Sequence, residues 1–148
     1  MTPPRLAVLA ITAALALACR TAEPRALVRV DAPPAEPGAP ADAQALRVER
    51  AVRSVADEER LVCLEGGGAV LLTCSPADVG SRSVQVRLTV QRAGSGIEVI
   101  GDAPFAHPGD PDVCRLASRL VRAVDAELGV PSARVHPGSG CPMPAEAR

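Results

Sequence analysis

The 148-residue sequence has almost no aromatic side chains, since it contains no Trp, no Tyr and a single Phe, Phe105. It also lacks Lys, so that all 16 of its basic residues are Arg. A core without large rings buries little area per residue, and a domain of about 100 residues gains only moderate stability from such an interior. We therefore expect covalent cross-links to contribute to its stability.

The chain has no excess of positive charge either. Arg5 is the only charged residue among residues 1–18, which leaves 15 of the 16 Arg against 17 Asp and Glu, a formal charge of −2. Nucleic-acid-binding proteins need a basic footprint on their surface. We therefore expect no nucleic-acid partner.

No apolar run is long enough to span a bilayer, which takes about 20 residues. Arg5 precedes a run from Leu6 to Ala18, a pattern typical of a secretory signal peptide. Its end, Leu15-Ala-Leu-Ala-Cys19, resembles the lipobox of bacterial lipoproteins, with Ala16 and Leu17 where Leu followed by Ala or Ser is usual.

The lipobox resemblance implies cleavage before Cys19, a diacylglyceryl group on its sulfur and an acyl chain such as palmitate on its amine. It also implies the outer membrane, facing the periplasm, because Arg20 stands where an Asp would favour retention in the inner membrane. The alternative is an ordinary secretory signal cut near Ala18 or Ala22.

Five Cys is an odd number for an exported protein. Assigning Cys19 to lipid leaves an even set, Cys63, Cys74, Cys114 and Cys141, which indicates two disulfides in an oxidising compartment. Four Cys allow three pairings, and the short loops favour the sequential one. A zinc site would draw on these Cys with His107 and His136, but no Cys-x2-Cys spacing is present, so we expect no metal and no other cofactor.

A linker rich in Pro and Ala follows Cys19. Its prolines are Pro24, Pro33, Pro34, Pro37 and Pro40. Within it, the alternating run Ala26–Val30 either adds an edge strand or is apolar linker, and we favour a semi-extended tether of about 3 Å per residue. The sequence thus predicts a signal peptide over 1–18, a lipidated Cys and linker over 19–44, and a domain over 45–148, several nanometres from the bilayer.

Helical stripes predict two helices in that domain. The first runs from Ala43 to Leu64, although residues 61–64 are also compatible with a strand, and Gly66 to Gly68 ends it. The second has Asp110 as N-cap, Pro111 at its first position and Gly129 after its last turn.

Short apolar runs predict the strands. Residues 69–74 and 133–136 are candidates, and the alternation over 84–91, the Gly-rich turn 92–96 and the run 97–100 predict a hairpin. The fold class is therefore α+β, with two helices packed on one face of a small antiparallel sheet.

The order strand–turn–strand–helix is similar to the periplasmic C-terminal domains of TonB-type proteins. The segments that resemble this family are Val86-Arg-Leu-Thr-Val90, Gly96-Ile-Glu-Val99, Val113-Cys114 and Leu120. Gly129-Val-Pro131 replaces the Phe-Pro that usually follows the last helix of the family. We take the resemblance as support for the fold and assign no energy-transducing role from it.

The sequence is compatible with three functions. The first is a lipid-anchored envelope protein with a non-catalytic binding or structural role, attached to the membrane and to an envelope protein partner. The second is a periplasmic enzyme using His107, His136, Ser95 and a few Asp, although no Gly-x-Ser-x-Gly or His-Glu-x-x-His motif is present. The third is a redox-active accessory protein, without Cys-x-x-Cys. We favour the first, with no catalytic residues.

Three Arg on the second helix, Arg115, Arg119 and Arg122, suggest either a solvated face or a site for anionic lipid phosphates.

Overall fold

A computed structural model describes residues 25–31, 42–77, 86–103 and 107–142. The predicted signal peptide, Cys19 and the Pro-rich segment 32–41 lie outside these residues. The elements, in chain order, are β1 (Arg25–Val30), α1 (Ala43–Glu58), β2 (Leu61–Glu65), β3 (Val70–Pro76), β4 (Arg87–Ala93), β5 (Gly96–Asp102), α2 (Pro111–Leu128), β6 (Ala133–Val135) and a 3-10 turn (Pro137–Ser139).

The six strands form one sheet in the order β2-β3-β4-β5-β1-β6, and all neighbours are antiparallel. The two helices pack against each other and against this sheet, which confirms the predicted α+β class. The predicted hairpin is β4 and β5, and the predicted strands over 69–74 and 133–136 are β3 and β6.

The structure corrects the interpretation of residues 26–30 as tether. β1 lies inside the sheet, hydrogen-bonded to β5 on one side and β6 on the other. Leu27, Val28 and Val30 are all buried. The register shifts between Ala26 and Val28, and the consecutive residues Leu27 and Val28 are both buried.

The structure also shortens the first helix, which ends at Glu58 rather than Leu64. Arg60 has a φ of 59°, a left-handed conformation that turns the chain out of α1. Residues 61–65 then form β2 beside β3, which was the alternative considered for them.

The second helix begins and ends as predicted. The side chain of Asp110 accepts hydrogen bonds from the backbone N–H of Asp112 (3.0 Å) and Val113 (3.4 Å), and Pro111 follows it. Gly129 has a φ of 75° and donates its N–H to Asp125 O. Each cap satisfies backbone groups that the helix leaves open.

The core is aliphatic and lies between the helices and one face of the sheet. Its fully buried side chains include Val48 and Val52 of α1, Leu120 and Val124 of α2, and Leu72, Leu88, Val90 and Val99 of the sheet. Close packing makes such a core sensitive to any added volume.

Added side-chain volume should lower the stability of the fold most at Gly101 of β5. A Cβ atom at Gly101 would lie 2.4 Å from Leu27 Cδ1 and 2.9 Å from its Cγ. Leu27 is buried and the cavity beside it measures only about 10 Å³, so its side chain can move aside only by changing rotamer within that space or by shifting its neighbours. We expect Gly101→Ala to lower the free energy of unfolding by about 1–3 kcal/mol, measured by urea denaturation.

Gly67→Ala is the matched control, because a Cβ atom there meets nothing within 4 Å. Equal losses in the two variants would contradict the proposed contact between Leu27 and Gly101.

Candidate functional site

The four cysteines of the domain form two disulfides with the sequential pairing that the loop lengths favoured. Cys63 and Cys74 face each other across β2 and β3, with their Cα atoms 3.9 Å apart. Cys114, in the first turn of α2, is bonded to Cys141 near the end of the described chain. The first bond fixes the edge strand to its neighbour, and the second holds the segment after β6 against α2.

The two histidines serve local backbone geometry. His136 Nδ1 accepts a hydrogen bond from Gly138 N (3.0 Å) and thereby caps the 3-10 turn. His107 Nδ1 lies 3.2 Å from Pro108 O in an exposed loop. The two segments meet through Gly109 N and Ser139 O (3.2 Å), yet no hydrogen bond joins the two rings to each other or to a carboxylate in the described chain.

Two acidic side chains, Asp110 and Asp125, bind backbone groups at the two ends of α2. Asp110 caps α2, and Asp125 Oδ1 accepts the backbone N–H groups of Ser132 (2.9 Å) and Ala133 (2.8 Å), which positions β6 after the helix. Ser95 is exposed in the β4–β5 turn. Within residues 25–31, 42–77, 86–103 and 107–142, no group of three or more His, Cys, Asp or Glu could hold a metal ion.

A small cavity opens between β1, β5 and the start of α2, beside Leu27, Gly101 and Val113. Its volume is about 10 Å³, roughly the room that one water molecule needs. Drug-sized ligands and cofactors occupy pockets of about 300 Å³ or more. This cavity is therefore a packing gap beside the β1 bulge.

Two of the three Arg residues on this face of α2 are paired with carboxylates. Arg119 contacts both Glu58 and Glu59 at the end of α1, and Arg115 contacts Asp112 one turn earlier on its own helix. Arg122 has no ion pair among the described residues. The observed pairs offset the charge of Arg115 and Arg119 and favour the solvated interpretation for these two.

β2 is the outermost strand of the sheet among the described residues, and its outer edge is the remaining candidate for a binding surface. Gly66 N donates to Leu71 O (3.0 Å), and hydrogen-bonded and non-hydrogen-bonded pairs alternate along antiparallel strands. The even-numbered residues of β2 therefore direct their backbone groups to β3. The odd-numbered residues Leu61, Cys63 and Glu65 direct theirs away from the sheet.

Two large aliphatic side chains lie on the solvent face of this strand. Val62 is 54% exposed and Leu64 is 70% exposed, which makes them two of the four exposed large hydrophobic residues in the described chain. We call the outward backbone of residues 61–65 together with these two side chains the β2 edge. An exposed apolar edge strand is a ready template for pairing with another strand.

The opposite edge of the sheet is protected. β6 has only three residues, Ala133–Val135, and its middle residue Arg134 is exposed. Pro131 and Pro137 flank it, and Pro has no N–H to donate. Short length, a charged side chain and nearby proline are the usual means of blocking an edge.

Sequence reasoning did not single out Val62 and Leu64. The only signal was the run Leu61-Val-Cys-Leu64, which is compatible with either helix or strand. Which edge of the sheet β2 occupies depends on strand order, and strand order is a tertiary property.

Comparisons with protein-family models, with curated proteins and with solved structures gave no match. In the described part of the chain, no helix is long and apolar enough to cross a membrane.

We expect both disulfides to contribute to the stability of the domain. On a loop-entropy model, replacing Cys63 and Cys74 by Ser should lower the free energy of unfolding by about 3 kcal/mol, and replacing Cys114 and Cys141 should lower it by about 3.5 kcal/mol, because the second loop is longer. Urea denaturation of both double variants measures these losses.

Hydrogen exchange at Ser139 then separates the two bonds. Ser139 is buried and its N–H is bonded to His136 O (3.0 Å). We expect this amide to exchange faster without the Cys114–Cys141 bond and to be unchanged without the Cys63–Cys74 bond. Faster exchange in both variants would show that the Cys114–Cys141 bond does not hold this segment specifically.

Proposed function

We propose that this protein is a lipid-anchored protein of the bacterial envelope, with a structural or binding role and no catalytic activity. The observation that carries the proposal is Cys19 at the end of a lipobox-like segment, with the remaining four cysteines consumed by two disulfides. An exported, oxidising compartment suits such disulfides. More than one acyl chain at Cys19 gives firm attachment, since a single chain binds a bilayer only marginally.

The position of β1 makes this anchor short. Only Arg20 to Pro24 separate Cys19 from Arg25, the first residue of β1. Six residue steps span at most about 20 Å when fully extended. The domain is therefore held at the membrane surface, instead of the several nanometres away that a linker ending at residue 44 would give.

The polar groups of the domain support a non-catalytic role. Three polar side chains accept hydrogen bonds from backbone N–H groups at helix caps and turns: Asp110, Asp125 and His136. An acid–base or nucleophilic mechanism needs a base within hydrogen-bond reach of the group it activates. What the surface offers instead is the β2 edge.

Mass spectrometry of the unreduced protein from membranes tests the anchor. We expect a mature N-terminus at Cys19 with the mass of a diacylglyceryl group and an amide-linked acyl chain. Cys19→Ser should move the protein into the soluble fraction, because it removes the thioether. A mature chain that begins elsewhere, or a Cys19 joined to another cysteine, would refute the proposal.

Neutron reflectometry on supported bilayers tests the short tether. We expect the protein layer to begin at the lipid surface, and ten Gly and Ser residues inserted between Arg20 and Thr21 should open a solvent-filled gap below it. The same ten residues inserted between Gly38 and Ala39 are the matched control, because this site lies after β1 and leaves the tether unchanged. A gap already present without insertion would contradict the short tether.

A further inference from the structure

We propose that two copies of this chain pair through the β2 edge, in an antiparallel arrangement with its two-fold axis at Cys63. The proposal goes beyond the lipid anchor and does not depend on it. It rests on the backbone groups and the exposed side chains of residues 61–65.

The backbone of β2 is complementary to itself. In an antiparallel pair centred on Cys63, Leu61 lies opposite the partner's Glu65, and Cys63 lies opposite the partner's Cys63. These are the residues whose N–H and C=O groups point outward. All outward groups of the strand therefore meet outward groups, and about six hydrogen bonds can form.

The exposed side chains match in the same register. Val62 lies opposite the partner's Leu64, and Leu64 lies opposite the partner's Val62. The four side chains fall on one face of the joined sheet, because alternate residues share a face. Both positions are more than half exposed in the single chain, so that pairing removes apolar surface from water.

The exposed side chains select the antiparallel arrangement. Parallel pairing of the same edge in two copies needs a rotation about the strand direction, which turns one sheet over. Val62 and Leu64 of the two copies would then lie on opposite faces of the joined sheet, where they cannot meet.

The proposed pairing is limited to two copies. The contact is isologous, since the same strand serves both copies. Each outer edge of the resulting sheet is then a β6 strand, protected by Arg134 and the flanking Pro131 and Pro137. The assembly therefore ends at two copies and does not grow into a filament.

Sedimentation of the full-length protein in density-matched detergent tests the proposal, with and without Cys19→Ser to separate it from the anchor. We expect a concentration-dependent dimer in both forms, and a dissociation constant at least 10-fold higher for Leu64→Lys. Leu46→Lys is the matched control, because Leu46 is 59% exposed on α1, away from the β2 edge. A monomer at all concentrations, or an equal effect of the two Lys variants, would overturn the proposal.

Hydrogen exchange of the unaltered chain provides a readout that no variant can disturb. The amides of Leu61, Cys63 and Glu65 should become protected as the concentration rises, while those of Val62 and Leu64 stay protected throughout by β3. Cross-linking at position 64 that captures a different envelope protein and never a second copy would contradict the pairing.

Discussion

The placement of β1 between β5 and β6 is the constraint on which the rest of the structure depends. β6 has three residues and pairs only with β1, so it belongs to the sheet only because β1 is there. β1 also brings three buried aliphatic side chains, Leu27, Val28 and Val30, to the core. Because residues 25–30 are part of the fold, the N-terminal connection shrinks to a few residues, and the domain cannot move freely away from whatever holds Cys19.

The elements that local chemistry specifies were predictable from the sequence. Asp110, Pro111 and Gly129 mark both ends of α2, and the alternation from Val86 to Val90 marks β4, as the structure confirms. The alternating run of β1 left a strand and a linker both open, because prolines surround the run and its strand partners come from distant parts of the chain. The boundary between α1 and β2 was also hidden, since an Arg, not a Gly, adopts the left-handed conformation there.

The candidate site was also only partly predictable from the sequence. The cysteine pairing could be argued from loop lengths, and the structure has that pairing. The β2 edge could not, because which strand is outermost among the described residues depends on strand order. The two disulfides lie where an aliphatic core contributes least: at an edge strand and at the segment after the last strand. The Cys63–Cys74 bond ties β2 to β3 and so limits the rearrangement that pairing at this edge would require.

The proposed anchor and the proposed pairing would together restrict how the protein lies on a membrane. β1 and β2 run in the same direction, because four antiparallel steps separate them in the sheet. Antiparallel pairing of β2 would therefore set the two β1 strands in opposite directions, with their starts at opposite ends of the joined sheet. Tethers of at most about 20 Å would reach one bilayer from both starts only if the strands ran along the membrane plane. The two-fold axis would then stand along the bilayer normal, with one face of the joined sheet turned toward the lipid.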